Sequence, residues 1–234
     1  MKNILLDILF PKRCVNCRKF GGFLCADCFA KISFTTNFSC PVCLAPAING
    51  MTHPFCKKKY SLDGVIPTLL YKGVVKKLLY QLKYAPYLAS LGPILSDILF
   101  EGIIQNESLF PLLQKNPIIA PVPLHPNRER FRGYNHAGII AQNLAKKLDA
   151  VYVKDILKRI KDTKPQYKLS KEDRKKNILG ALKVAEKFEN KLNGKTIILI
   201  DDITTTFATL QECAKVLKKS GAVTVVGITV AKEA

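Results

Sequence analysis

Two features of this sequence carry residue types that could do chemistry: paired cysteines near its start, and two acids followed by threonines near its end. Seven of the eight cysteines lie between Cys14 and Cys56, and six of them form Cys-x-x-Cys pairs, Cys14/Cys17, Cys25/Cys28 and Cys40/Cys43. Such a pair turns tightly and aims two sulfurs at one ion. Two pairs close the tetrahedral thiolate shell of structural Zn²⁺, which leaves no open position for catalysis. A redox dithiol would need a thioredoxin-like βαβ setting, which these residues lack. A disulfide module would need an oxidising compartment. The simplest ligand set is Cys14, Cys17, Cys25 and Cys28. Cys40, Cys43 and Cys56 then need a fourth ligand, for which His53 is the nearby candidate. A cross-braced set, Cys14/Cys17 with Cys40/Cys43, stays open. Cys213 stands apart on a predicted helix and reads as a small core residue.

The second feature is the run from Thr196 to Thr209, an apolar strand that ends in Asp201 and Asp202 and turns through Thr204, Thr205, Thr206, Phe207 and Ala208 to Thr209. Open α/β sheets place ligands at the C-terminal ends of their strands. Helix N-terminal amides with threonine hydroxyls hold phosphate. Paired carboxylates suit vicinal ribose hydroxyls or a Mg²⁺ ion on a diphosphate. An ordinary strand-turn-helix with capping threonines is the plainer reading.

The elements that must position these residues follow from periodicity. Residues 1–60 are rich in Cys, Phe and Lys and carry little regular pattern, apart from an amphipathic helix predicted to pack through Ile4, Leu5, Ile8 and Leu9. Leu62 to Tyr71 reads as a strand entering a helix over Gly73 to Tyr84, and Leu91 to Gln105 as a second helix. A strand at Ile118–Ala120 leads into a stiff loop, set by Pro121, Pro123 and Pro126, that carries His125, Arg128, Arg130 and Arg132. Asn135 to Leu148 has helical spacing. Thr196–Ile200, Leu210–Ser220 and Val223–Val230 form strand, helix and strand, which implies a parallel sheet with a right-handed crossover.

The formal charge is +19, which points either to a polyanionic partner or to a lysine-rich solvated surface. Arginine forks at Arg128, Arg130 and Arg132 suit phosphate. Lys154 to Lys176 holds ten basic and four acidic side chains. With Tyr167 it could track a nucleic-acid backbone and stack a base, or be a flexible basic loop over a site. The 48% hydrophobic content supports a real core. There is no apolar run of membrane-spanning length and no cleavable leader, so stable membrane insertion is not expected and a cytoplasmic location is.

The Thr196–Thr209 run resembles the phosphoribosyl-diphosphate loop of type I phosphoribosyltransferases: apolar residues, two acids, two variable residues, two threonines, glycine, any residue, threonine. The resemblance implies that Asp201 and Asp202 touch the ribose hydroxyls, while Thr205, Thr206, Ala208 and Thr209 cradle the 5-phosphate. Further motifs follow in order: Phe10 to Cys17, Pro121 to Pro126, Arg132 to Ala137, Pro165-Gln166, and Arg174 to Ile178. With them the chain is similar to the ComF family of competence-associated proteins over nearly its whole length. That family implies a zinc module over residues 1–60 and a phosphoribosyltransferase-like α/β domain over 61–234, a parallel sheet flanked by helices. It also implies handling of single-stranded DNA in natural transformation, with other competence proteins such as the competence helicase as partners. Phosphoribosyl transfer from phosphoribosyl diphosphate with Mg²⁺ to an unidentified acceptor is the competing activity, and regulation by a bound nucleotide a third. The sequence departs from the family at Lys59, where a further cysteine is frequent, and at Phe207, where the family has glycine. Glycine there permits positive φ or close backbone approach. A phenylalanine is expected to do neither easily, and so to weaken the hold on phosphoribosyl diphosphate or turn the loop toward another phosphate.

Overall fold

A computed structural model of the chain describes residues 11–163 and 169–233. The predicted helix through Ile4 to Leu9, Phe10, the Pro165-Gln166 motif and Tyr167 lie outside the described residues. The helices are α1 (Ala26–Phe29), α2 (Gly73–Lys83), α3 (Leu91–Ile104), α4 (Phe110–Leu113), α5 (Pro126–Arg132), α6 (His136–Lys147), α7 (Lys171–Ile178) and α8 (Ala208–Lys219). The strands are β1 (Gly64–Leu70), β2 (Ile118–Pro121), β3 (Val151–Tyr152), β4 (Leu157–Arg159), β5 (Leu182–Val184), β6 (Thr196–Thr204) and β7 (Thr224–Lys232).

Five strands form one sheet in the order β1-β7-β6-β2-β3, every pairing parallel. β4 and β5 make a separate antiparallel pair. The central strands read as continuous apolar runs because helices cover both faces. Alternation then divides the core. Ile198 and Ile200 of β6 pack with α2, α3 and α6 through Leu78, Leu95 and Ile140. Ile197 and Leu199 face α8 and the β4–β5 pair through Leu210, Cys213, Leu157 and Leu182. Cys213 is fully buried there, as its place on an apolar stripe implies.

Two local expectations change. The proline-stiffened loop becomes α5 from Pro126 onward. Pro126 supplies the fixed φ of a first helical position, and His125 caps it by accepting from the Asn127 N–H. β6 also runs past the predicted end at Ile200, because β7 stays paired with it as far as Thr204↔Lys232. The acids are therefore strand residues rather than the start of the turn.

The cysteine-rich residues lie against β1, the outermost strand, where Pro67 is tolerated. Thr35 N–H donates to Thr68 O (2.8 Å), Leu70 N–H to Ser33 O (3.0 Å) and Thr52 N–H to Asp63 O (2.8 Å). Gly50 is required in this contact: its φ is +73°, and a Cβ there would stand 2.0 Å from Val65 O. Gln211 of α8 ties the layers together, donating to Pro41 O (3.0 Å) and accepting from Leu62 N–H (3.2 Å). Below them Asp63 meets Lys218 Nζ at 2.7 Å, both side chains 5% exposed.

Candidate functional site

The cysteines converge in chain order rather than cross-braced. One ligand atom from each of Cys14, Cys17, Cys25 and Cys28 lies within 4.8 Å of the others, and the same holds for Cys40, Cys43, His53 and Cys56. Tetrahedral coordination with Zn–S bonds of about 2.3 Å sets sulfurs about 3.8 Å apart. Cys17 Sγ and Cys25 Sγ are 3.6 Å apart, and Cys43 Sγ lies 3.4 Å from His53 Nδ1. His53 Nε2 sits 3.0 Å from Pro46 O, which fixes the ring with Nδ1 free to ligate. Burial pushes the Cys14 thiol up, but backbone N–H groups of Cys17, Cys25 and Asn16 outweigh it and bring the pKa down to about 6. Cys40 is brought down to about 7 in the same way, against burial, by N–H groups of Cys43, His53 and Val42. Donors aimed at these sulfurs stabilise the thiolate that a metal needs. Both clusters fit structural zinc.

The second site is a cleft of about 400 Å³ at the C-terminal ends of β2 and β6. Its floor is Asp201 and Asp202. Strand alternation starts them toward opposite faces; Lys83 and His136 stand at Asp202, while Lys83 and Arg159 act on Asp201. Asp202 is buried; its Oδ2 lies 2.5 Å from Lys83 Nζ and 2.8 Å from His136 Nε2. Neither approach has the angles of a hydrogen bond, so charge rather than alignment holds this oxygen. Arg132 Nη1 stands 2.6 Å from His136 Nδ1. Guanidinium only donates, so Nδ1 accepts and the ring proton sits on Nε2, facing Asp202. Burial, reinforced by Lys83 and Arg132, keeps His136 neutral, well below its ordinary pKa. Burial also lowers Lys83 to about 8, with Asp201 opposing and Arg132 assisting.

Asp201 keeps some solvent contact through the cleft mouth but is walled by protein. Burial raises it to about 6 although Lys83 and Arg159 pull it down. Oxygens of Asp201 and Asp202 and a His136 nitrogen lie within 4.8 Å of one another. Lys83 already supplies a positive charge at Asp202, so Asp201 is the carboxylate freer to meet a ligand.

Above this floor, Thr204 to Thr209 turn into α8. Phe207 does take the positive φ usually left to glycine: φ is 57° and ψ 2°. Its ring is 4% exposed and packs into the core beneath α8. Burial of the ring offsets the backbone strain.

The predicted arginines separate. Arg128 and Arg132 line the cleft, while Arg130 is exposed on the outer side of α5. Arg128 donates to Thr163 O, and Arg159 to Thr163 Oγ1. Arg174 Nη1 donates to Thr205 Oγ1 at 2.5 Å. Two members of the basic stretch thus form one wall of the cleft from β4 and α7. Lys83, His136, Arg159 and Arg174 are site residues that the sequence reading did not single out. His136 lies in the Arg132–Ala137 motif and Arg174 opens the Arg174–Ile178 motif. Lys83 follows the buried stripe Val75, Leu78, Leu79 and Leu82 and gives no local signal; Tyr134 fixes it by donating to Leu82 O at 2.6 Å.

Residues 5–58 match the model of the double zinc ribbon domain. The chain is 40% identical to Competence protein F of Haemophilus influenzae over 103 residues, 44% of each chain. Over 206 residues it is 27% identical to the DNA utilization protein YhgH of Escherichia coli, covering 86% of this chain and 87% of that one. Competence protein ComFC of Bacillus subtilis aligns over 208 residues at 25% identity, covering 85% and 79%. Over most of its length the chain is thus similar to competence and DNA utilization proteins. The double zinc ribbon match spans both cysteine clusters. Among the described residues no helix is long and apolar enough to cross a membrane.

Proposed function

We propose that this chain is a ComF-type protein that binds a phosphorylated ribose in the β2–β6 cleft, on a type I phosphoribosyltransferase-like domain. We further propose that it works on single-stranded DNA in the cytoplasm during natural transformation, beside other competence proteins such as the helicase. The observation that carries the first part is the Thr204–Thr209 turn at the N-terminus of α8, above an acid floor and inside a ring of cations. Helix amides and hydroxyls would hold the 5-phosphate. Asp201 would accept from the ribose hydroxyls or meet a Mg²⁺ ion carried by a diphosphate. Arg132, Arg159 and Lys83 would neutralise that diphosphate. A cleft of about 400 Å³ suits a ligand of this size. The formal charge of +19, and relatives named for competence and DNA utilization, support the single-strand reading.

Calorimetric titration with ribose 5-phosphate, and with phosphoribosyl diphosphate plus Mg²⁺, tests the cleft. Saturable binding lost in Asp201→Asn is expected, and its absence for both ligands would reject the reading. Transfer chemistry is the second reading. It is favoured by Asp201 at about 6, poised to take a proton from an acceptor near neutral pH. Diphosphate release with a candidate acceptor would support it.

A further inference from the structure

A second concavity, about 620 Å³ in volume, lies between the Cys40–Cys56 cluster and helices α7 and α8. Its wall is apolar: Pro41, Leu44, Tyr60, Ile178, Leu179 and Ala208. Leu44 and Leu179 are 48% and 59% exposed, so large apolar side chains meet water at its lip. Isolated exposed leucines need no explanation, but several converging on one hollow mark a binding surface. The rim carries Lys58, Lys59, Lys175 and Lys215. Lys59 and Lys219 ammonium groups stand 5.3 and 5.9 Å from the Tyr60 ring centroid. Of the two acids lining the hollow, Glu212 is buried, accepting from Gly180 N–H at 2.9 Å and pairing with Lys215 at 3.7 Å. Glu172 is the exposed acid of the two.

We infer that this hollow is a base-binding subsite for single-stranded nucleic acid, with a base on Tyr60 and the flanking phosphates on the lysine rim. An apolar well ringed by cations complements a flat base flanked, through its sugar, by backbone phosphates; an apolar peptide would leave the lysines unanswered. Position argues the same way. Thr206 and Ala208 line both this hollow and the phosphate-holding cleft, so a strand crossing the N-terminus of α8 could occupy both. The proposal rests on the single-strand reading above and adds where the strand lies. It also gives the basic segment around α7 and the zinc-supported Lys58–Tyr60 turn a shared task.

The test compares fluorescence anisotropy of labelled oligo-dT with that of a strand of equal length lacking bases, in about 50 mM salt. Oligo-dT should bind about tenfold tighter than the baseless strand. A 2-aminopurine in the strand should lose emission on binding. Tyr60→Leu, which keeps an apolar filler, and Leu179→Glu, at an exposed position, should each abolish that preference while zinc content and the unfolding midpoint hold. Lys175→Ala with Lys215→Ala should flatten the log–log salt slope by about 1.4. If neither strand binds wild-type protein, the single-strand reading falls and this subsite with it. If both bind equally and Tyr60→Leu and Leu179→Glu change nothing, the subsite alone is refuted, and a partner's apolar peptide becomes the occupant to seek.

Discussion

Replacing Phe207 separates two energies that the structure sets against each other. The residue holds a left-handed backbone, φ 57°, while its ring is 4% exposed in the core under α8. For a residue with a Cβ that conformation costs about 1–2 kcal/mol. Loss of a buried phenylalanine ring costs about 3–5 kcal/mol. Phe207→Gly removes both, and should destabilise the protein by about 1–4 kcal/mol. Phe207→Ala removes the ring and keeps the strain, so it should be the less stable variant, by about 1 kcal/mol. Urea unfolding monitored by circular dichroism gives the order wild type, glycine, alanine at equal slope. Glycine at or above wild type would refute the buried ring, and glycine below alanine would refute the positive φ. Because the backbone conformation is already that of glycine, ribose 5-phosphate affinity of folded Phe207→Gly should stay within about twofold of wild type.

Metal analysis of protein purified without chelator should find two zinc ions per chain. Cys14→Ser with Cys17→Ser should lose one of them and lower stability by several kcal/mol, since a structural site contributes folding energy directly; a metal-free, stable wild type would reject both clusters. Asp201 is held at about 6 against an ordinary 3.8, so the folded chain binds this proton more tightly than the unfolded chain does. Its contribution to stability is present at acid pH and is lost as pH rises from about 4 to about 6; pH-dependent melts of wild type and Asp201→Asn should differ by that slope. Ligand binding through the ionised carboxylate runs the other way: in calorimetric titrations wild-type affinity for ribose 5-phosphate should fall below about pH 6 by more than the phosphate's own titration explains.

What the sequence revealed was set by short-range physics. The strand–turn–helix around Asp201 was legible because apolar runs, acids and threonines are contiguous there. The parallel β6–α8–β7 unit followed from the same stretch. The end of β6 was not legible, since its last residues are strand only because Lys232 of β7 pairs with Thr204. The cation ring was legible in part. Arg128 and Arg132 stood out by local density, whereas Lys83, Arg159 and Arg174 come from three separate elements that only tertiary packing brings to one cleft. Phe207 shows the same limit: residue type argues against its backbone conformation, but its energetics depend on a core built by residues scattered along the chain.

The seating of the cysteine-rich residues on β1 has a consequence for any attempt to take the protein apart. β1 is a terminal strand of the sheet, and its outward backbone groups are answered by Ser33, Thr35 and the Met51 bridge. At the opposite border, β3 is only two residues long and offers little to an incoming chain. The long, apolar side is thus the one that is covered. Cutting the chain at residue 61 would bare a seven-residue strand, Gly64–Leu70, as a template for intermolecular pairing. Insolubility of such a fragment, or of protein stripped of metal, would then report an uncapped sheet rather than a lost contact with ligand. By covering β1, the cysteine-rich residues would keep one sheet from finding another.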